Sequence, residues 1–287
     1  MRKLPLKICS ILFALSFTAC NSNQKTESTT NTESATSGDS ITASATASKN
    51  DTLPKPFATP PTAKNSKVIG WPVGKTPTAP AGFTVTKFAD KMRNPRWIYV
   101  APNGDILVAE ASTEESIFKR VQNVGTGKSK KVNTGGSANR ITLFRDTNQD
   151  GKPEVQTTFL EDLNQPLGML VLNNAFYVAN TDALWKYPYK TGQDHITGKG
   201  EKILDLPAGG YNNHWTRNII ANADGSKIYI SVGSGSNVGE NGLDNEKRRA
   251  NILEINPDGS GERVYGSGLR NPVGMDWAPG TKTLYTV

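Results

Sequence analysis

HWTRNIIANADGSKIYISVGS, residues 214–234, reads as two short β-rich runs joined by a tight turn. A polar group leads, Ile219 and Ile220 begin the first run, Ala-Asp-Gly supplies the turn, and Ile228 to Val232 form the second run. Such a pair makes a hairpin, because Gly, Asn and Asp tolerate the positive φ that a tight turn demands. The same unit recurs as NPRWIYVAPNGDILVAEA from Asn94, NQPLGMLVLNNAFYVANT from Asn164 and RNPVGMDWAPGTKTLYTV from Arg270. Between the units lie further strand candidates: RITLFRD (140–146), ALWKYPY (183–189) and NILEINPDGSG (251–261). No stretch after the leader has a helical period.

The copies stand about 50 to 70 residues apart, each led by a polar or proline cluster. A β-sandwich does not account for that recurrence, whereas a ring of like blades does. The expected fold is all-β: a β-propeller of four-stranded antiparallel blades, about four of them, over residues 82–287. The last hairpin stops in its second strand at Val287. A ring seals its last blade against its first, since otherwise edge strands stay unpaired. The expectation is therefore a truncated propeller or a fragment of a longer one.

The chain opens MRKLPLKICSILFALSFTAC. Arg2, Lys3 and Lys7 precede an apolar run from Ile8 to Phe17, too short to span a bilayer and placed as in a secretory signal. FTAC resembles a bacterial lipobox, which implies a signal peptide over 1–19 and lipidation of Cys20; the alternative is an ordinary signal cut near Ala19. Residues 20–81 are rich in Ser, Thr and then Pro, and cannot bury enough apolar surface to offset their chain entropy, so they read as a disordered tether. The expected location is periplasmic or on the cell-surface side, with the membrane held through the lipid alone. Cys9 falls in the signal, so the domain has no disulfide and must rest on its core. The net charge is +7, and without the leader 30 basic residues face 26 acidic ones, too mild an excess for a nucleic-acid surface.

In a propeller, one end of each innermost strand faces the central channel. The clusters that lead the units would therefore converge there, bringing Arg96, Gln165, His214, Arg217, Arg270 and Asn271 around one pocket. Guanidinium forks and amides suit a planar, polyanionic, carbonyl-bearing ligand. Taken alone, His214 reads sooner as a hydrogen-bonded histidine at a strand edge than as a base. Arg96 is either a loop ion pair or a pocket residue, and His195 sits in a Gly-rich loop.

LNQPLGM (163–169), NNHWTRNIIANADGSKIYISVGSGSN (212–237), NILEINPDGS (251–260) and GLRNPVGMDWAPGTKTLYTV (268–287) resemble the soluble quinoprotein glucose, aldose sugar and sorbosone dehydrogenases. These are six-bladed propellers that bind pyrroloquinoline quinone. The resemblance implies that His214 is the general base for the anomeric hydroxyl of a sugar. The C1 hydride would pass to the quinone C5 carbonyl beside Arg270. Asn271 and Gln165 would hold the cofactor's edge, and Arg217 is expected in the same cofactor-binding set, bracing the His214 strand or the pocket wall. A cytochrome or diffusible mediator would accept the electrons. Glucose-oxidising members carry Asp before the base; Asn213 stands here, which points to the aldose or sorbosone branch. The family's calcium at the cofactor is expected from segments beyond Val287.

A separate calcium candidate is DTNQDGKPE, where Asp146, Asn148 and Asp150 alternate before Gly151 as in an EF-hand loop. The twelfth position is Thr157, not Glu, and both flanks read as strands, so an ordinary Asp/Asn/Gly hairpin tip competes. Two other readings of the whole chain stay open: a propeller that binds a ligand or protein without chemistry, and a propeller lactonase, which would need several axial carboxylates around a metal.

Overall fold

The computed structural model describes residues 70–114 and 136–287; the signal, Cys20 and most of the tether lie outside them. Fourteen strands are described, every neighbouring pair antiparallel. The first blade is β1 (Pro95–Val100), β2 (Ile106–Glu110), β3 (Arg140–Arg145) and β4 (Val155–Leu160). The second is β5 (Met169–Leu172), β6 (Ala175–Ala179), β7 (Ala183–Pro188) and β8 (Glu201–Asp205). The third is β9 (Ile219–Ala221), β10 (Ile228–Val232), β11 (Asn251–Ile255) and β12 (Arg263–Gly266), and a further hairpin pairs β13 (Met275–Trp277) with β14 (Leu284–Thr286). Each blade runs in simple sequence order, so this is a β-propeller with its repeats where the four hairpins were expected.

Turn chemistry fixes the hairpins. Gly104 and Gly225 sit at φ +87° and +68°. The β5–β6 turn uses no glycine; Asn173 and Asn174 take φ 50° and 55° instead, a two-residue turn that matches strand twist.

The core lies between blades. Phe176 and Val178 of β6 pack with Leu107, Ile141, Leu143 and Phe159 of the first blade. The alternate residues Ala175, Tyr177 and Ala179 pack with Ile228, Ile230, Leu253 and Ile255 of the third. A strand's side chains alternate faces, so one run of five buried residues serves two interfaces. The first strands adjoin one another, β5 against β9 and β9 against β13. Gly168 permits that approach: a Cβ there would stand 2.7 Å from the Ile219 nitrogen, and its own amide donates to the Arg217 carbonyl at 2.9 Å. Among the described residues no helix is long and apolar enough to cross a membrane.

Candidate functional site

The residues leading β9 are folded around one guanidinium. Arg217 is fully buried. Its Nη1 donates to the carbonyls of His214 (2.8 Å) and Thr216 (2.9 Å), and its Nη2 to Pro207 O (2.7 Å) and Asn212 Oδ1 (3.1 Å). Burial pushes its pKa down to about 9, with the nearby Arg249 charge adding to the fall and Asp182 opposing it. It is still a cation at neutral pH. The cofactor-binding role expected of Arg217 needs correction: all its surface and four donor contacts are spent inside the protein, so it braces the His214 backbone and does not reach a ligand.

His214 is half-buried. Its Nδ1 lies 3.0 Å from the Ser234 carbonyl and 2.8 Å from Ser234 Oγ. The Ser234 hydroxyl donates its one proton to Ser236 O at 2.6 Å. Both oxygens facing Nδ1 are therefore acceptors. Nδ1 carries the ring proton, and in the neutral imidazole Nε2 keeps its lone pair.

Arg270 arrives from the chain leading to β13. Its carbonyl accepts the Ser234 amide at 2.8 Å. Its exposed guanidinium is held through Nε on Asn237 O at 3.0 Å and through Nη2 on Asn237 Oδ1, to which Asn213 Nδ2 also points at 3.5 Å. Asn271 follows; its Oδ1 is buried without a partner. A Cβ on Gly233 would stand 2.6 Å from His214 Cβ and 2.7 Å from Asn271 Oδ1. Residues 233 and 234 are thus the point on which His214, Arg270 and Asn271 converge.

Gln165 stands on the neighbouring wall. It takes φ 47°, and its Nε2 donates to Ser112 O at 2.8 Å. With Thr113, Glu114, Thr181, Asn212 and Trp215 it lines a pocket of about 270 Å³. Trp215 is fixed by its Nε1 on Thr113 Oγ1 (2.9 Å) and by Thr181 Oγ1 on its carbonyl (2.9 Å). The exposed Arg96 guanidinium lies 5.2 Å from the Trp215 ring centre, a cation–π contact, and no ion pair to it is seen among the described residues. Asn212 and Trp215 flank His214 in the chain, which sets the pocket beside the imidazole's segment.

His195 pairs with Asp194 on an exposed loop, away from these contacts. The Asp146 loop is closed by its own amides: Gly151 N on Asp146 Oδ2 (2.8 Å) and Asp150 N on Asn148 Oδ1 (2.8 Å). Carboxylate oxygens of Asp146, Asp150 and Glu154 lie within 4.8 Å of one another. Glu154, missed in the sequence, also accepts the Thr147 amide and hydroxyl (2.6 and 2.8 Å). Ser234, Asn237 and Glu246 were missed as well; the only sequence signal was their place next to the His-x-x-Arg hairpin.

The profile of one protein family, described as TrAA12-like, matches residues 77–287. The chain belongs to the TrAA12-like family. This TrAA12-like chain is 27% identical over 138 residues to an uncharacterized protein of Borreliella burgdorferi, covering 45% of this chain and 35% of that one. Among solved structures it is similar to the pyranose dehydrogenase PQQ domain of Coprinopsis cinerea in its holo form (19% identity, TM-score 0.47, 65% of this chain and 41% of that one). It is also similar to the PQQ-bound aldose sugar dehydrogenase of Streptomyces coelicolor (16% identity, TM-score 0.46, 70% and 58%). The TrAA12-like chain thus spans 35% to 58% of the length of these three proteins.

Proposed function

We propose that this chain is part of a lipid-anchored, periplasmic or cell-surface quinoprotein that oxidises an aldose or sorbosone-type sugar. The observation that carries the reading is the convergence at residues 233 and 234. There a histidine with Nε2 unprotonated, the Arg270 backbone and the orphaned Asn271 amide oxygen come together from separate parts of the chain, and the Arg270 guanidinium is tethered a few residues on, at Asn237.

The residues present fit a flat quinone with carbonyl and carboxylate edges. Arg270 and Asn271 would hold it, with Gln165 from the pocket wall. When bound, such a quinone supplies an electrophilic carbonyl that accepts a hydride. His214 Nε2 takes the proton of the sugar hydroxyl, and its Nδ1–H remains on Ser234. Arg270 places positive charge where negative charge develops; one such contact is worth about 3 to 4 kcal/mol of barrier. The pocket beside Trp215 offers amide and hydroxyl groups suited to a polyol. Calcium accompanies the quinone in this reading. However, Glu246, the carboxylate bonded into this cluster, is already taken up by Gly235 and Ser236, so the described residues form no calcium cage there. The electrons go on to a cytochrome or diffusible mediator, and Cys20 carries the lipid.

The test is reconstitution with pyrroloquinoline quinone and calcium, followed by quinone titration and dye reduction with a panel of aldoses. Saturable quinone binding and sugar-dependent turnover, lowered by about a hundredfold or more in His214→Ala, are expected. Absence of quinone binding, or full turnover in His214→Ala, overturns the reading. Ligand binding without turnover would favour a binding propeller instead.

A further inference from the structure

The segment that touches both His214 and Arg270 is pinned by one carboxylate. Glu246 ends a 3-10 turn (Leu243–Glu246) and reaches back over the chain. Its Oε2 accepts the Gly235 amide at 2.8 Å; its Oε1 accepts the Ser236 amide at 3.0 Å and the Ser236 hydroxyl at 2.6 Å. Burial works to raise the pKa of this carboxyl, but the Ser236 and Gly235 donors and the Arg249 charge outweigh it and hold it below the usual glutamate range. Glu246 is therefore ionised at neutral pH and accepts from every donor it faces here.

The consequence runs two residues back. With Ser236 fixed, its carbonyl takes the Ser234 hydroxyl proton, and both Ser234 oxygens stay turned to His214 as acceptors. Were residues 235 and 236 free to rotate, the 234–235 peptide could turn its carbonyl away from the ring and the Ser234 hydroxyl could donate to Nδ1 instead, and the ring proton would move to Nε2, removing the base. One residue further on, Asn237 holds the Arg270 fork. The clamp therefore bears on both reactive side chains without touching either.

We propose that Glu246 is a positioning residue that selects the Nδ1–H tautomer of His214 and, through Asn237, sets the place of Arg270. The proposal deepens the dehydrogenase reading and rests on it for its catalytic meaning, but its test does not need the quinone. The chain has two histidines. Labelling the full chain with 15N-histidine therefore gives two imidazoles, and His195→Gln assigns them. In the neutral form, wild-type His214 should show a pyrrole-like Nδ1 and a pyridine-like Nε2. Glu246→Ala should move both nitrogens towards the averaged values of a tautomer mixture, and in the reconstituted enzyme lower turnover by about ten- to a hundredfold with a smaller change in KM. Glu246→Gln keeps the shape but turns an NH2 towards a donor, so the same shift is expected there, and it stands in if the alanine variant does not fold. A wild-type His214 protonated on Nε2, or an unchanged Nδ1–H signature in a folded Glu246 variant, overturns the proposal. Failure of the quinone to bind, with the tautomer shift present, overturns the dehydrogenase reading alone.

Discussion

His214 Nδ1 stands 2.8 Å from Ser234 Oγ, and that hydroxyl has already given its proton to Ser236 O. The serine thus acts towards the ring only as an acceptor. In Ser234→Ala the backbone clamp survives, and the residue-234 carbonyl, 3.0 Å from Nδ1, still takes the ring proton. One hydrogen bond of about 1 kcal/mol is lost, so sugar-dependent turnover should fall about fivefold. His214→Ala removes the base and should cost about a hundred- to ten-thousandfold. Steady-state dye reduction with both variants checks this; equal losses would mean that the hydroxyl does more than orient the ring.

Gly233→Ala should damage the site more than its size suggests. The new methyl would meet His214 Cβ, His214 O (2.9 Å) and Asn271 Oδ1 at once, and two of these are fixed by neighbouring hydrogen bonds or backbone. Overpacking of this kind costs about 1 to 3 kcal/mol. The expected result is a lower melting temperature together with a displaced His214 imidazole signal and an unmoved His195 signal. A melting shift without the imidazole change would place the clash elsewhere.

Arg217→Met should be strongly destabilising. The substitution strands three carbonyls, Pro207 O, His214 O and Thr216 O, while Asn212 Oδ1 keeps its bond from Arg249 Nη1 at 2.8 Å. Each buried acceptor left unpaired costs about 1 to 3 kcal/mol. Denaturant melts measure the loss. Because Arg217 has no surface for a ligand, any folded fraction should bind quinone with near-normal affinity, which separates the brace from a direct contact.

The blades were legible because hairpins announce themselves through turn residues between short apolar, β-rich runs. β1–β2, β5–β6, β9–β10 and β13–β14 all carry Gly or Asn where φ must be positive. β8 and β12 were not legible. They are outer strands, largely exposed, and EKILD and RVYG mix charge with apolar residues without a clear alternation. At the site, His214, Arg270 and Asn271 stood out by chemistry and by their flanking motifs. Ser234, Asn237 and Glu246 lie in a Gly-, Ser- and Asn-rich run that reads as a polar loop. Only contacts between residues ten or more apart turn that run into a clamp. That Arg217 is wholly inside and serves as a brace could not be told from a cofactor contact, because a sequence does not show which guanidiniums are buried.

Glu110 is fully buried at the end of β2. It accepts from Arg140 Nε at 2.9 Å and Nη2 at 3.2 Å, from the Thr142 hydroxyl and from the Arg93 amide. Burial alone would raise its pKa, but the Arg140 and Thr142 donors and the Arg93 amide more than offset that and hold the carboxyl below the ordinary glutamate value of 4.5. Asp105 is lowered in the same way against Arg145, which grips it through two bonds of 2.7 Å. A carboxylate with a depressed native pKa binds fewer protons folded than unfolded, so its stabilisation is complete above the unfolded value and is lost as pH falls through the folded one. Urea midpoints should therefore hold steady down to about pH 5 and then fall as the pH drops below the ordinary carboxylate range. Glu110→Gln should be less stable than the wild type at neutral pH, and its acid limb should be shallower, because one of the titrating groups is gone. A parallel fall in both proteins would show that the acid sensitivity comes from other carboxylates and that the pair across β2 and β3 contributes little.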